Sequence, residues 1–332
     1  MVTLPNIQTT VLIPRKKPTS DHDEPLHIFM CLDDDFCLPT SVSVISIFQN
    51  NPEMLITIHL VGIDLSEENI KRFRKLPCGP NGEVLLHSPD SKMCSELTSN
   101  AATMHFPPAS FLRIMLPDLF CELERLVYLD GDTLCVGSLA DLATLDLRAN
   151  PLGVVLDVPP KNAGQGYVQK DFNSGFLVID VKAWLKEDLT AKVFRVLAEE
   201  PNLKLPDQMA LNKATEGIRL VLPKRFNFIQ ELSIRGNEDR VRPKDAVIVH
   251  YANRSKPWTR IYQTDLYTKY LNLSPWKKEK RELVYKKDPN SVRRYAKWLI
   301  KKGRFIEAVS VVAYYVQIVL ERKNLIKKRP PQ

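Results

Sequence analysis

The strongest constraint on the fold is an alternation that begins at His27. Short apolar runs (HIFMCL at 27–32, MLITIHLVG at 54–62, EVLLH at 83–87, LVYLD at 126–130) are separated by segments of helical period, at Thr40–Gln49, Ser66–Leu76 and Phe111–Phe120. Strands of about five residues alternating with helices of about ten are the pattern of βαβ units and a mostly parallel sheet. Ser66, with acids directly after it, is a helix start, and Pro117 is expected to interrupt the third helical segment. Further strands are expected at 151–158, 175–181, 218–223 and 245–251. Residues 1–25 read as an extended leader, and the α/β body is expected to run over 26–274, where the charge changes character.

That change is sharp. The chain carries 47 Lys plus Arg against 39 Asp plus Glu. From Lys277 onward there are 17 basic and 5 acidic residues, a local charge of +12, so the first 276 residues are mildly acidic at −4. Residues 275–332 are therefore a basic extension, with an apolar stretch from Ala308 to Leu320 that suits a helix. No run approaches the roughly 18 apolar residues of a membrane span. A basic amphipathic helix can still lie on an anionic membrane surface, where each Lys or Arg contributes about 1 kcal/mol. The alternative is packing on the body with a solvated basic face. Nucleic-acid binding is not expected, because no recognition module accompanies the charge.

Six cysteines (Cys31, Cys37, Cys78, Cys94, Cys121, Cys135) include no C-x-x-C pair. Structural zinc and a disulfide scaffold are disfavoured, and buried free thiols in a reducing compartment are expected. The N-terminus lacks the apolar core of a signal peptide.

The chemistry concentrates at strand ends. In LVYLDGDTLCV, Asp130 and Asp132 stand two apart at a strand's end and are expected to face the same way, with Gly131 between them letting a ligand approach the backbone. Ligands of open α/β sheets bind outside the carboxyl ends of the strands, and paired carboxylates there suit Mg²⁺ or Mn²⁺. Asp-Gly is also ordinary turn chemistry. His250 ends another apolar strand, DAVIVH, and an imidazole beside two carboxylates favours Mn²⁺. Lys256, six residues on, suits a phosphate. Together these residues describe a metal–diphosphate site.

LDDDFCLPTSVSVISI, FLRIMLPDLF, LVYLDGDTLCVGSL, DFNSGFLVIDVKAW, LPDQMALN and HYANRSKPW occur in the order found in the retaining glycosyltransferases of family 8, which this chain resembles from 27 to about 260. YLNLSPWKK is similar to the extension of the bacterial lipopolysaccharide core glucosyl- and galactosyltransferases. The resemblance implies a GT-A fold, a Rossmann-like mixed and mainly parallel sheet flanked by helices. It also implies a UDP-glucose or UDP-galactose donor, Mn²⁺ held by Asp130, Asp132 and His250 with Mg²⁺ as substitute, and a lipid-linked oligosaccharide acceptor. It assigns Asp33 and Phe36 to the nucleotide, Arg113 to the donor and Lys256 to the diphosphate. Asn173, Asp207 and Gln208 fall around the donor sugar and reactive face, and Asp157 at the acceptor side.

Each position has a plainer reading. Asp207 could cap a helix after Pro206, Phe36 could be core, and Arg113 could be an exposed charge. Asp34 and Asp35 read as loop-positioning residues. Met209 and Asn253 depart from the family pattern. They leave open a degenerate sugar- or nucleotide-binding protein, or a transferase with a different glycan acceptor. An Asp-x-Asp phosphohydrolase is disfavoured, because its chemistry does not need DQMALN or HYANRSKPW. Retention favours front-face attack with positioning and electrostatic stabilisation as the protein's task. The expected location is cytoplasmic, peripheral on the inner face of the cytoplasmic membrane.

Overall fold

The apolar runs become the middle of a mixed sheet in which six of the eight strands end at one edge. The computed structural model describes residues 6–17, 24–90, 107–159, 163, 168–234 and 242–323. The chain forms two compact units. One comprises Met1–Ile229, Pro243–His250 and Leu273–Lys277; the other comprises Gln230–Arg242, Tyr251–Asn272 and Lys278–Gln332.

In the first unit, β1 (Ile7–Ile13), β2 (Leu26–Leu32), β3 (Ile56–Gly62), β4 (Gly82–Pro89), β5 (Arg125–Leu129), β7 (Leu152–Leu156), β8 (Phe172–Asp180) and β9 (Arg219–Val221) form an eight-stranded sheet ordered β1-β4-β3-β2-β5-β8-β7-β9. Pairing is parallel at β4–β3, β3–β2, β2–β5 and β7–β9, and antiparallel at β1–β4, β5–β8 and β8–β7. A smaller sheet joins β6 (Thr133–Cys135) to β11 (Ile248–His250) and β10 (Phe228–Ile229).

β3 is buried at every residue, as expected of a parallel strand covered on both faces. α1 (Cys37–Asn50) buries Val42, Val44, Ile45, Ile47 and Phe48. α2 (Glu67–Phe73) is capped by Ser66, whose hydroxyl accepts from Asn69 N at 3.3 Å. α3 (Ala109–Leu119) does not break at Pro117. The proline lies in the last turn, where it removes one donor, and the helix closes three residues later with Phe120 N donating to Leu116 O at 3.0 Å. The stretch expected as a leader contains β1, extended and hydrogen-bonded along β4 as the edge strand, from Ile7 opposite Pro89 to Ile13 opposite Val84.

The topology positions the site. β2, β5 and β7 run the same way, so Asp33, Asp130 and Asp157 follow their carboxyl ends at a common edge. β8 runs against them, so its first residues, Phe172 to Gly175, lie at that edge too. α4 (Ala140–Ala143), α5 (Val181–Lys186), α6 (Leu189–Glu199) and α7 (Pro206–Ala214) complete the unit, and α7 begins beside the start of β8.

The second unit is helical: α8 (Asp265–Leu271), α9 (Pro289–Lys301) and α10 (Phe305–Arg322). α9 starts at Pro289 with Asp288 accepting from Ser291 N at 2.9 Å. α10 buries Ala308, Val311, Ile318 and Glu321 and exposes Phe305, Ile306, Val309, Val312 and Val316 on its other face. No described helix is long and apolar enough to cross a membrane.

Candidate active site

β5 stops at Leu129, so a turn, and not the pleat, brings Asp130 and Asp132 together. Asp130 N donates to Gly175 O at 2.9 Å, while Asp130 O accepts from Thr133 N at 3.2 Å and from Thr133 Oγ1 at 2.9 Å. Gly131 is required by packing. A Cβ there would collide with the buried hydroxyl of Thr40 and lie 3.1 Å from the Phe36 ring. β6 leaves this turn antiparallel to β11, with Thr133 opposite His250. The ligand atoms of Asp130, Asp132 and His250 all lie within 4.8 Å of one another. His250 Nε2 is 3.1 Å from Asp132 Oδ1 and 3.8 Å from Asp130 Oδ2.

The two oxygens of Asp130 have different tasks. Oδ1 accepts from Tyr128 OH at 2.7 Å and pairs with Arg113 Nη1 at 3.0 Å. Oδ2 is left facing His250 and the space beside Gly175, where a Cβ would strike His250 Cε1 and lie 2.5 Å from Oδ2. Arg113 is buried, not an exposed helix charge. It also pairs with Asp207 Oδ2 at 3.6 Å, donates to Ser174 O at 3.0 Å, and stands 4.6 Å from the Tyr128 ring centroid. Burial works against its charge, but Asp130, Tyr128 and Asp207 raise its pKa above the ordinary value. Burial pushes Asp207 up despite Arg113, and burial likewise holds the Tyr128 hydroxyl protonated.

α7 begins at Pro206 with Leu205 as its N-cap, so the Asp207 carboxylate is not spent on capping. It accepts from Ser174 Oγ at 3.3 Å. Gln208 Oε1 accepts from Ser174 N and Asn173 Nδ2, both at 3.2 Å, and Gln208 Nε2 donates to Asp157 Oδ2 at 3.0 Å. The structure thus brings together eight expected residues: Asp130, Asp132, His250, Arg113, Asn173, Asp207, Gln208 and Asp157. Phe36, half-buried, flanks Gly131. Asp33 accepts from Phe36 N at 3.1 Å and shapes that turn. Asp34 accepts from Ser66 N at 2.7 Å, the loop-positioning role expected of it. Lys256 belongs to the second unit, where it donates to Tyr251 O at 2.7 Å and stands 5.6 Å from the Trp258 ring centroid.

Sequence reasoning missed Tyr128, Gly175 and Asn227. The first two lie inside quoted motifs, and a small residue within a buried strand was the available signal for Gly175. Asn227, whose Oδ1 is 3.0 Å from His250 Nδ1, follows RF in a stretch with no marked pattern.

This donor set fits a divalent cation. Two carboxylate oxygens and an imidazole nitrogen converge, and the missing side chain at Gly175 leaves the convergence clear. Among the described residues this is the one group of its kind.

The chain resembles known proteins in sequence and in fold. The sequence profile of glycosyl transferase family 8 matches residues 27–262. The chain is 27% identical over 323 residues to a lipopolysaccharide 1,2-glucosyltransferase of Escherichia coli, covering 90% of this chain and 93% of that one. It is 26% identical to the lipopolysaccharide 1,3-galactosyltransferase of Salmonella typhimurium, covering 91% and 94%. The crystal structure of the galactosyltransferase LgtC with donor and acceptor sugar analogues superposes with a TM-score of 0.63 at 22% identity, over 76% of this chain and 99% of that one. The fold is GT-A.

Proposed function

This chain belongs to glycosyl transferase family 8, and on that premise we propose that it is a retaining transferase moving glucose or galactose from a UDP-sugar to a lipopolysaccharide core oligosaccharide. The observation that carries the proposal is the convergence of Asp130, Asp132 and His250 at the same strand-end edge as Asp207, Gln208 and Asp157. The named activities of the E. coli and Salmonella relatives, each matched along more than nine-tenths of its length, support the hexose and acceptor classes.

Asp130, Asp132 and His250 would hold Mn²⁺, with Mg²⁺ as substitute. When bound, the ion neutralises negative charge on the departing diphosphate. Phe36 offers an aromatic face for uracil and Asp33 a carboxylate for the nucleotide, while Lys256 is assigned to the diphosphate by its motif. Arg113 keeps Asp130 and Asp207 apart and compensated.

The reactive face favours front-face attack over double displacement. Gln208 is an amide with both ends occupied, its oxygen by Ser174 N and Asn173 and its nitrogen by Asp157. Asp207 is tied to Arg113 and Ser174. Neither is a free nucleophile, so their work is orientation of sugar hydroxyls and electrostatic stabilisation of positive charge developing at the anomeric carbon. A donor phosphate oxygen then takes the acceptor proton.

The extension fits attachment to an anionic bilayer: α10 exposes an apolar face, and the chain from Lys277 carries a charge of +12. Binding there would place a peripheral enzyme beside a lipid-linked acceptor on the cytoplasmic side.

UDP release from a panel of UDP-sugars, with MnCl₂ or with EDTA, tests the proposal. Turnover of one UDP-hexose that needs the cation is the expected result. A folded protein that turns over none of them, even with lipid-linked core oligosaccharide supplied, would overturn it.

A further inference from the structure

A single row of hydrogen bonds joins the cation ligands to the reactive face, and its direction can be read without seeing a hydrogen atom. Asn173 Oδ1 accepts from the backbone N–H of Gly175 at 3.1 Å, so this atom is the amide oxygen. Asn227 also faces Asn173 Oδ1, at 3.0 Å, and must present its NH₂ group there. Asn227 Oδ1 is thereby turned to His250 Nδ1, 3.0 Å away. An amide oxygen only accepts, so Nδ1 carries the proton. In the neutral ring Nε2 is then the lone-pair nitrogen, and it points at Asp132 and Asp130.

The other end is pinned in the same way. Gln208 Oε1 accepts from the backbone N–H of Ser174, so the Asn173 NH₂ group donates to it at 3.2 Å and the Gln208 NH₂ group donates to Asp157 at 3.0 Å. Two backbone amides thus set the orientation of every amide in the row. His250 is 1% exposed and Asn227 3% exposed, so water does not compete for these groups.

We infer that Asn227 is a positioning residue of the transfer reaction. Its oxygen holds His250 in the Nδ1–H tautomer that leaves Nε2 for the cation, and its NH₂ group ties that ring through Asn173 to Gln208 and Asp157. This rests on reading Asp130, Asp132 and His250 as cation ligands. Partners that orient a ligating imidazole are typically worth 10- to 100-fold in metal affinity.

Two substitutions separate the two ends of Asn227. Asn227→Leu removes both. It is expected to weaken the Kd for MnCl₂, measured by calorimetry with the metal alone, by about 10- to 100-fold. Asn227→Asp keeps an acceptor for Nδ1–H but sets an oxygen against Asn173 Oδ1. It is expected to hold the Kd within about threefold while kcat falls about tenfold.

Nitrogen NMR of histidine-labelled, metal-free protein at alkaline pH reads the tautomer directly and needs no cation. The Nδ1–H form is expected for wild type and Asn227→Asp, and a mixture for Asn227→Leu. An Nε2–H tautomer in the wild type overturns the inference. So does an Asn227→Leu protein that keeps both tautomer and Kd, or an Asn227→Asp protein that loses the cation as Asn227→Leu does. Absence of MnCl₂ binding by the wild type counts against the cation reading alone, and the tautomer still decides the role of Asn227.

Discussion

Two rows of hydrogen bonds cross the first unit, one made with three histidines and one with a single histidine. In the first, Thr9 Oγ1, His87, His59 and His27 are linked in series across β1, β4, β3 and β2, each contact 2.9 Å. His59 and His87 have both ring nitrogens engaged, so neither keeps a lone pair for a ligand. Burial, then the like charges of His27 and His87, pushes His59 down to about 2. Burial with Arg15 lowers His27 to about 4, and burial lowers His87 to about 4. In the second row, His250 uses one nitrogen on Asn227 and turns the other to two carboxylates. Three histidines, His59 and His87 buried and His27 half-buried, therefore make a strut, whereas one histidine beside two carboxylates has the donors of a ligand set. What separates them is where the lone pairs end.

The sharpest test of that contrast compares Asp132→Ala with His59→Gln. Losing a ligand should cost about 10³-fold in turnover, the several kcal/mol that a bound ion contributes. His59→Gln should leave kcat at pH 7 within about twofold. Comparable losses in the two would erase the distinction.

Next in size is acid stability. The three strut histidines are harder to protonate folded than unfolded, so below pH 6.5 the unfolded chain binds more protons. Their contribution is complete above pH 6.5 and is lost as pH falls from 6.5 toward 4, at up to about 1.4 kcal/mol per pH unit for each ring. Urea denaturation across that range should show stability falling by several kcal/mol. His59→Gln should flatten the slope, and an unchanged slope would mean that the strut is not the source.

Gly175→Ala puts a methyl between His250 and Asp130. Crowding of that kind costs about 1–3 kcal/mol. It should appear mainly as weaker MnCl₂ binding, with the unfolding midpoint little changed; a lowered midpoint with intact binding would make Gly175 a packing residue only.

The smallest effect belongs to Tyr128→Phe, which removes one donor from Asp130 Oδ1 while Arg113 remains. A loss of about 1 kcal/mol corresponds to roughly fivefold in kcat/KM.

Much of this was legible before any coordinates. β2, β3 and β5 were readable because parallel strands buried on both faces become continuous apolar runs. The turn at Asp130–Asp132 was readable because Asp-Gly serves a turn and a ligand site alike. A helix opening at this point was readable from Pro206 and Asp207, but with Asp207 as its cap; Leu205 is the cap and Pro206 the first helical residue, the position proline fits best. Other features left no local trace. β1 pairs with a strand more than seventy residues away, and an edge strand has no βαβ period to announce it. Pro117 read as an interruption because the position of the helix end was unknown.

The sequence by itself determined the alternation of strands and helices, the acids that follow β2, β5 and β7, the basic extension, and through its motifs the family. These are local facts, because apolar period, turn chemistry and charge are written in neighbouring residues. Only the tertiary structure decided that β8 runs antiparallel between β5 and β7, setting Asn173 and Gly175 beside Asp130. It alone joined Asn227 to His250, and it alone aligned His27, His59 and His87 into a strut. A hydrogen bond acts over about 3 Å of space whatever the separation in sequence, and strand order and register choose which distant groups come within that reach.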